Sequence, residues 1–546
     1  MTPEYKAEKE AAVSHLGGGG IWEINAVTFI APAAAFLWAV LQTRQGFFKP
    51  YTLPAVLTDF LLNCAAILFA ATVYSGGPQV LLGLMFLPAI ATYLQPAAES
   101  KASKKSLVKV GANGKATGNE DETSAADLDP LPVKPFITAY RGAMMIITCI
   151  SILAVDFPVF PRRFAKTEAF GTSLMDLGVG SFVFGAGVIA ARQQLKEEHS
   201  QARSLVKRMK TAMRHSAPLF ALGFIRLWTV KGLDYAEHIS EYGVHWNFFF
   251  TLALLPLSVA ILQPLLRWIP SYGVFACMLA VCYECVLYFT PDLKAWIILG
   301  ARVKGDWFSQ NREGVFSFVG YLAIFIAGMG IGTCILPRDE ETEEAWKPGQ
   351  PGKPKAAVKD VLDEDADWLA TILSSEESKT ATQTVAEPPQ LRPEIPQTAF
   401  WLLVKWTGLW FVFTVWMVKL DHGPGLFVSR RLANLAYVCW VCAFNCAQLL
   451  LFCGIEKLMF PNLYDAKDRP TERERAQRAT SRVMQAFNRN GLALFLLANL
   501  LTGLVNMTVP TLHMSDVGAM FVLVAYIGTI CGVGLALDHY DVSIKL

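Results

Sequence analysis

Residues 156–168 read DFPVFPRRFAKTE, and an apolar stretch of about twenty residues lies on each side, at 136–155 and 173–191. The run combines charged side chains with Pro158 and Pro161, which cannot donate backbone hydrogen bonds and so favour irregular backbone. Charge beside hydrocarbon costs roughly 2.5–3.5 kcal/mol per ionised group at the centre of a membrane helix. Such a segment persists only where protein or a water-filled cavity surrounds it. We therefore expect the functional site here.

The composition is that of an integral membrane protein. The 546 residues are 53% hydrophobic and only 17% charged, with a mean hydropathy of +0.36, whereas soluble domains carry about 25% charged residues. A net charge of +2 argues against nucleic acid as a partner. The eleven cysteines fall mostly within apolar runs, which predicts packing residues rather than a disulfide framework or a metal site.

The chain offers about thirteen apolar stretches that approach the 20 or so residues needed to cross a bilayer. The predicted fold class is an all-α membrane protein with a catalytic cavity on its lumenal side. The stretch at 217–230 is short and contains Arg226, and 292–300 is expected to be an interfacial helix. The predicted spans are 26–43, 54–75, 79–95, 136–155, 173–191, 217–230, 246–266, 272–290, 314–336, 399–420, 426–453, 491–508 and 514–537.

The distribution of basic residues predicts the orientation. With the N-terminus in the lumen, most of the 48 Lys and Arg fall in cytosolic segments, and the opposite orientation reverses this bias. An odd number of spans then leaves the C-terminus in the cytosol. Asp156 lies at the lumenal end of the fourth span, where Arg162, Arg163 and Lys166 form a positive cluster on the side that usually lacks one. An anionic ligand would explain this cluster; the alternative is that these bases reach lipid phosphates.

Two long loops separate the membrane regions. They lack the aromatic and branched residues needed for a core, so both are expected to be disordered. The predicted organisation is a lumenal N-terminal segment at 1–25, helices 1–3 at 26–95, a cytosolic loop at 96–135, helices 4–9 at 136–336 with the catalytic loop at 156–168, a second cytosolic loop at 337–398, and helices 10–13 with a cytosolic tail at 399–546.

Several motifs together resemble one known family. They include YRGAMM at 140–145, CISILAVD at 149–156, FGTSLMDLGVG at 170–180 and NGLALFLLANLLTGLVN at 490–506, and EINAVT at 23–28 and NREG at 311–314 fit as well. The chain resembles the inositol acyltransferases of glycosylphosphatidylinositol (GPI) anchor biosynthesis over essentially its whole membrane portion. The resemblance implies about thirteen spans and a location in the endoplasmic reticulum membrane.

The resemblance also implies the activity. These enzymes move a fatty acyl chain, typically palmitoyl, from acyl-CoA to an inositol hydroxyl of glucosaminyl-phosphatidylinositol. The family's catalytic pair corresponds to Asp156 and Lys166 here. A partly dehydrated carboxylate can act as general base, because burial raises its pKa. Lys166 would stabilise the oxyanion or set the charge state of Asp156. We expect acyl-CoA as co-substrate, membrane lipids around the protein, and no permanently bound cofactor.

Further residues are candidates for substrate binding. Arg162 and Arg163 suit a phosphodiester or the phosphates of CoA, since a guanidinium binds two oxygens. His245 is either a rival base or an interfacial residue. Asn499 and Asn506 are seven residues apart, so they share a helical face and either line a headgroup pocket or join neighbouring helices. The remaining candidates are polar residues at lumenal span ends, namely Glu23, Asn25, Asn311 and Arg312.

Two other classes of protein compete with the acyltransferase. A lipid or small-molecule transporter would suit many spans, but transporters often show two matching halves, and no such internal symmetry is visible in the sequence. A non-catalytic assembly subunit would leave the charged loop without a purpose. One tension remains within the acyltransferase hypothesis. Acyl-CoA is made in the cytosol, so it must either reach into the bundle or arrive by another route if Asp156 faces the lumen.

Overall fold

The structure is a computed structural model, and it describes residues 3–95, 128–198, 205–232, 241–266, 268–269, 271–338, 398–418, 425–466 and 468–544. The regular secondary structure of these residues is helical, apart from one isolated parallel bridge between Gly18 and Thr172. The helices are Pro3–Ala12, Ile21–Thr28, Ile30–Gln45, Leu53–Phe60, Ala66–Ala71, Pro78–Tyr93, Pro135–Ala154, Leu174–Glu198, Leu205–Gly232, Phe248–Leu266, Tyr272–Phe289, Leu293–Leu299, Trp307–Gln310, Arg312–Ile335, Ala399–Val418, Leu435–Met459, Arg469–Arg478, Arg482–Arg489, Gly491–Thr508 and Asp516–His539.

The all-helical membrane class is confirmed. In the part of the chain that the structure describes, eleven helical spans are long and apolar enough to cross a membrane. The predicted spans at 79–95 and 217–230 correspond to two further helices that do not meet both conditions. Pro78–Tyr93 is apolar but shorter, and Leu205–Gly232 is long but carries several basic residues. Each predicted span therefore coincides with a helix, while the number that cross the membrane stays a prediction.

The centre of the bundle is built by Leu174–Glu198 and Arg312–Ile335, which pack closely along their length. Glycine permits this approach: a Cβ on Gly187 would stand 2.1 Å from the carbonyl oxygen of Phe325, and one on Gly328 would stand 2.3 Å from that of Phe184. Small residues that let helix backbones meet are the usual packing device where apolar side chains gain little by leaving lipid. These two helices thus form the rigid core of the bundle.

Burial falls from the centre of the bundle to its edge. The apolar windows of Pro135–Ala154 and Arg312–Ile335 are each 78% buried, whereas that of Ala399–Val418 is 22% buried. The exposed side chains on the outer helices are large and apolar, among them Trp401, Leu504 and Phe521. A surface of this kind is suited to lipid contact rather than to water.

Three segments differ from the sequence prediction. The predicted span 426–453 begins as a helix only at Leu435, because the Asn434 side chain accepts a hydrogen bond from Tyr437 N–H and caps the helix there. The predicted cytosolic segment 454–490 contains two helices, and Val483 and Phe487 of the second are buried against Pro135–Ala154. The predicted N-terminal segment 1–25 contains the helix Pro3–Ala12 and the start of another.

Two further predictions concern the stretch 292–300 and the two long loops. The stretch 292–300 forms the short helix Leu293–Leu299, which contacts Arg312–Ile335. The two loops that were expected to be disordered, at 96–135 and 337–398, lie largely outside the described residues.

Candidate functional site

The 156–168 loop is anchored to the protein by three aromatic side chains. Phe157, Phe160 and Phe164 are each fully buried, and a single 3₁₀ turn at Arg162–Phe164 brings the last of them inward. The backbone N–H of Asp156 still bonds to the carbonyl of Leu153, at the end of the helix Pro135–Ala154. The buried phenylalanines fix the loop, which leaves its charged side chains nearer the surface.

The far end of the loop is fixed by a buried carboxylate. Asp176 accepts hydrogen bonds from Thr167 N–H at 3.1 Å and from Thr167 Oγ1 at 2.7 Å. Its other oxygen lies 2.6 Å from Nε of Arg430, and all three residues are buried. Arg430 comes from the non-helical segment before Leu435. An ion pair between distant parts of the chain therefore holds the loop in place.

The chain near the N-terminus crosses this loop. Gly19 N–H donates to the carbonyl of Thr172 at 2.7 Å, and Thr172 Oγ1 donates back to the carbonyl of Gly19 at 2.7 Å. Glu168 N–H donates to the carbonyl of Leu16 at 3.0 Å. Gly18 has φ +80, and a Cβ there would stand 2.2 Å from the oxygen of Thr172. Glycine is thus required at this crossing.

We expect Gly18→Ala to destabilise the protein by on the order of 1–3 kcal/mol, from left-handed strain and the clash with Thr172. The matched control is Gly20→Ala, because a Cβ on Gly20 meets nothing within 4 Å. The thermal midpoint of detergent-solubilised protein measures the effect. Equal midpoints for the two variants would show that the crossing is not tightly packed.

Asp156 has three polar neighbours. Asn506 Nδ2 donates to Asp156 Oδ2 at 2.8 Å, and Lys9 Nζ lies 3.8 Å from Asp156 Oδ1. Arg162 donates to the carbonyl of Val155 at 2.6 Å and interacts electrostatically with the carboxylate. Burial nevertheless raises the pKa of Asp156 above its usual value, while Lys9, Asn506 and Arg162 act in the opposite direction. This carboxylate is thus poised to accept a proton.

The other basic residues of the loop have different partners. Lys166 Nζ donates to both carboxylate oxygens of Glu241, at 2.8 and 2.9 Å. Arg163 Nε donates to Glu23 Oε1 at 2.6 Å. The two residues that the resemblance implies as a catalytic pair, Asp156 and Lys166, are therefore engaged in separate ion pairs. Asn25, another candidate, is half-buried on the same helix as Glu23.

The candidates His245, Asn311 and Arg312 form a group of their own. The buried Asn311 Oδ1 accepts from the backbone N–H groups of His245 and Trp246, at 2.7 and 2.9 Å. Arg312 donates to the carbonyls of Ile297, Gly300 and Ala301, and is itself buried. These contacts hold the loops at the ends of the neighbouring helices in place. Asn499 lies apart, exposed, and bonds to the Phe495 carbonyl of its own helix.

Four charged residues of this region were not among the predicted site residues: Lys9, Glu241, Asp176 and Arg430. The sequence carries a signal for one of them. Arg430 falls inside an apolar stretch that was predicted to span the membrane, and a charge there requires a partner. Asp176 lies in the motif at 170–180, nine residues after Thr167. Lys9 and Glu241 are close to the site only because distant segments meet, which no spacing in the sequence indicates.

Two small cavities lie among the described helices. One small cavity is lined by Tyr140, Arg141 and Asn488 among others, and a second by Trp38 and Asn63 among others. Neither is lined by Asp156, so the predicted lumenal cavity stays a prediction. Within the described residues, no group of three or more His, Cys, Asp or Glu side chains could hold a metal ion.

Comparison with known proteins identifies the family. A model of the GWT1 family matches residues 5–537. The chain is 48% identical to the GPI-anchored wall transfer protein 1 of Gibberella zeae, covering 100% of this chain and 99% of that protein. It is 47% identical to the protein of that name from Aspergillus oryzae, covering 100% of both chains. With the Saccharomyces cerevisiae protein of that name the identity is 35%, covering 99% of both. The chain therefore belongs to the GWT1 family, which confirms the family predicted from its motifs.

Proposed function

We propose that this protein transfers a fatty acyl group, palmitoyl, from acyl-CoA to an inositol hydroxyl of glucosaminyl-phosphatidylinositol. Family membership supports a role in GPI-anchor biosynthesis, because the relatives are named GPI-anchored wall transfer proteins. The eleven bilayer-length apolar spans among the described residues support a multi-pass membrane protein. Its place is the endoplasmic reticulum membrane, with the N-terminus in the lumen and the C-terminus in the cytosol.

The observation that carries this proposal is the half-buried carboxylate of Asp156, held by Asn506 at the end of the bundle. An alcohol becomes a good nucleophile only as it loses its proton. Asp156 takes that proton while the inositol oxygen attacks the thioester carbonyl. The tetrahedral intermediate then collapses, the carbon–sulfur bond breaks, and the departing CoA thiolate recovers the proton from Asp156. The ester and free CoA are the products.

The developing oxyanion needs a cation. Lys166 fills this role in the proposal, because it lies on the same loop and its side chain is 38% exposed. Its partner Glu241 keeps it in place until a thioester oxygen offers a competing contact. Electrostatic donors of this kind lower the activation barrier by about 2.7–4 kcal/mol.

The lipid acceptor has a route to Asp156 along the outer face of the bundle. Leu500, Leu504 and Met507 are exposed on the helix Gly491–Thr508, whose Asn506 binds Asp156. Acyl chains of the acceptor pack along this apolar face and leave the inositol headgroup beside the carboxylate. Arg163 is partly exposed and exchanges Glu23 for the phosphodiester of the lipid.

The test is a reconstituted reaction. Purified protein is incubated with labelled palmitoyl-CoA and glucosaminyl-phosphatidylinositol, and the lipid product is analysed by mass spectrometry. We expect the acceptor to gain one palmitoyl group on its inositol ring and one CoA to be released for each. Phosphatidylinositol without glucosamine serves as the control acceptor. An unmodified acceptor, or an acyl group found on the glucosamine, would refute the proposal.

A further inference from the structure

The N-terminal helix, Pro3–Ala12, is docked at the end of the bundle that holds Asp156. The Leu512 backbone N–H donates to Tyr5 Oη at 3.1 Å, and Thr511 Oγ1 lies 3.4 Å from the same oxygen. His513 Nε2 lies 3.0 Å from a carboxylate oxygen of Glu8. These contacts involve the turn between the last two membrane helices, so the N-terminal helix has a defined place.

Docking brings one side chain of this helix to the site. Lys9 Nζ donates to Asn506 Oδ1 at 2.7 Å and lies 3.8 Å from Asp156 Oδ1. The side chains of Lys9 and Asp156 are only 15% and 22% exposed, so solvent screens the pair weakly. Lys9, Asn506 and Asp156 form a closed triangle of polar contacts between three segments that are up to 497 residues apart.

We propose that Lys9 is a positioning residue for acyl transfer. Its ammonium keeps Asp156 ionised, and it holds the Asn506 amide with the oxygen toward Lys9 and the NH₂ group toward Asp156. This inference rests on the proposed function of Asp156. Lys9 acts through Asp156 and Asn506, and it is separate from Lys166, which is held by Glu241.

The orientation of the Asn506 amide follows from hydrogen-bond chemistry. An ammonium can only donate, so the oxygen of the amide must face Lys9. The NH₂ group then faces Asp156, where it donates to the carboxylate. Without Lys9 the amide is free to rotate and present its oxygen to Asp156, which would repel the ionised form. One cation thus directs two contacts of the base.

The charge of Asp156 depends on few groups. The cations that face it within the described residues are Lys9 from the N-terminal helix and Arg162 from its own loop. Tyr526 of the last helix is the nearby titratable group, and its hydroxyl bonds to the carbonyls of Cys149 and Ala498. Arg162 already donates to the Val155 carbonyl. Removal of Lys9 therefore takes away one of two nearby positive charges.

The test is the pH profile of kcat/KM for Lys9→Gln. A general base works in its ionised form, so kcat/KM falls as pH drops through the pKa of Asp156. An opposite charge at this distance lowers a carboxyl pKa by about 1–3 units. We therefore expect this fall in kcat/KM, the break in the pH profile, to lie about one pH unit or more higher in Lys9→Gln than in wild type. The rate should fall about tenfold on the acid side and approach the wild-type rate at alkaline pH.

Two variants complete the design. Lys9→Arg keeps the charge and the donors, so its break should stay within a few tenths of a pH unit of the wild-type position. Lys49→Gln removes an exposed lysine that is paired with Glu474 elsewhere, and should leave the profile unchanged. Thermal midpoints confirm that each variant is folded.

Two results would overturn the inference. A rate for Lys9→Gln that is lowered equally at every pH would assign Lys9 a purely structural role, and an unchanged profile would assign it none. Failure of the proposed function gives a different result, because wild type itself would then leave the inositol ring of the acceptor unmodified. Failure of the role of Asp156 alone would leave Asp156→Asn fully active whatever Lys9 does.

Discussion

Replacement of Asp156 by asparagine is expected to reduce acyl transfer by about 10²–10⁴-fold, the usual contribution of a general base. Asparagine has nearly the same size and can still accept the hydrogen bond from Asn506, so the loop should keep its conformation. The variant loses the capacity to take a proton, together with the negative charge that faces Lys9 and Arg162. Turnover of labelled acyl-CoA at equal protein concentration measures the loss.

The matched control is Asp516→Asn. Asp516 is exposed in the first turn of the last membrane helix, and it has the same charge and size. Its replacement should leave turnover within about twofold of wild type, because an exposed substitution rarely changes stability by more than about 0.5 kcal/mol. Full activity in Asp156→Asn, together with normal abundance, would remove Asp156 from the reaction.

The second large effect concerns the buried ion pair that fixes the loop. Asp176→Asn leaves Arg430 without its 2.6 Å partner in the interior. Loss of one member of a buried pair typically costs about 3–5 kcal/mol. Such a loss approaches the total stability of many proteins, so we expect a sharply lowered thermal midpoint and reduced abundance in membranes. Thr167 also exchanges an ionised acceptor for a weaker one, which loosens the loop.

Two comparisons make this prediction specific. Glu474→Gln breaks an exposed pair with Lys49 and should change stability by less than about 1 kcal/mol. Asp176→Asn combined with Arg430→Met leaves no unpaired charge, so its cost should be clearly below the sum of the two single variants. Strictly additive costs would show that Asp176 and Arg430 contribute independently.

The membrane helices could be predicted from sequence because an apolar stretch of about 20 residues is a strong local signal. The irregular loop at 156–168 was predictable because Asp156 and two prolines interrupt apolar sequence there. The helix boundary at Leu435 was not predicted, because apolar residues on both sides of Arg430 and Arg431 made 426–434 read as part of the span. There the cap at Asn434 and the pairing of Arg430 with Asp176 determine where the helix starts.

The partners of the loop were beyond prediction. Asn506 was recognised as polar, but its contact with Asp156 joins residues 350 positions apart. Lys9 and Glu241 approach the loop through the docking of whole helices, and such long-range placement leaves no periodic pattern. The family resemblance led us to expect Lys166 near Asp156, whereas the structure pairs Lys166 with Glu241. Charge in the sequence shows that a partner is needed without showing which one.

The most direct test asks which group is the base. The measurement is the pH dependence of kcat/KM for wild type and for the residual activity of Asp156→Asn. Because burial raises the pKa of Asp156, wild type should lose activity as pH falls through a value above the usual carboxyl value of about 3.9. That break should be absent from the residual activity of Asp156→Asn. The same break in both proteins would contradict the assignment and place the base at another residue, such as His245.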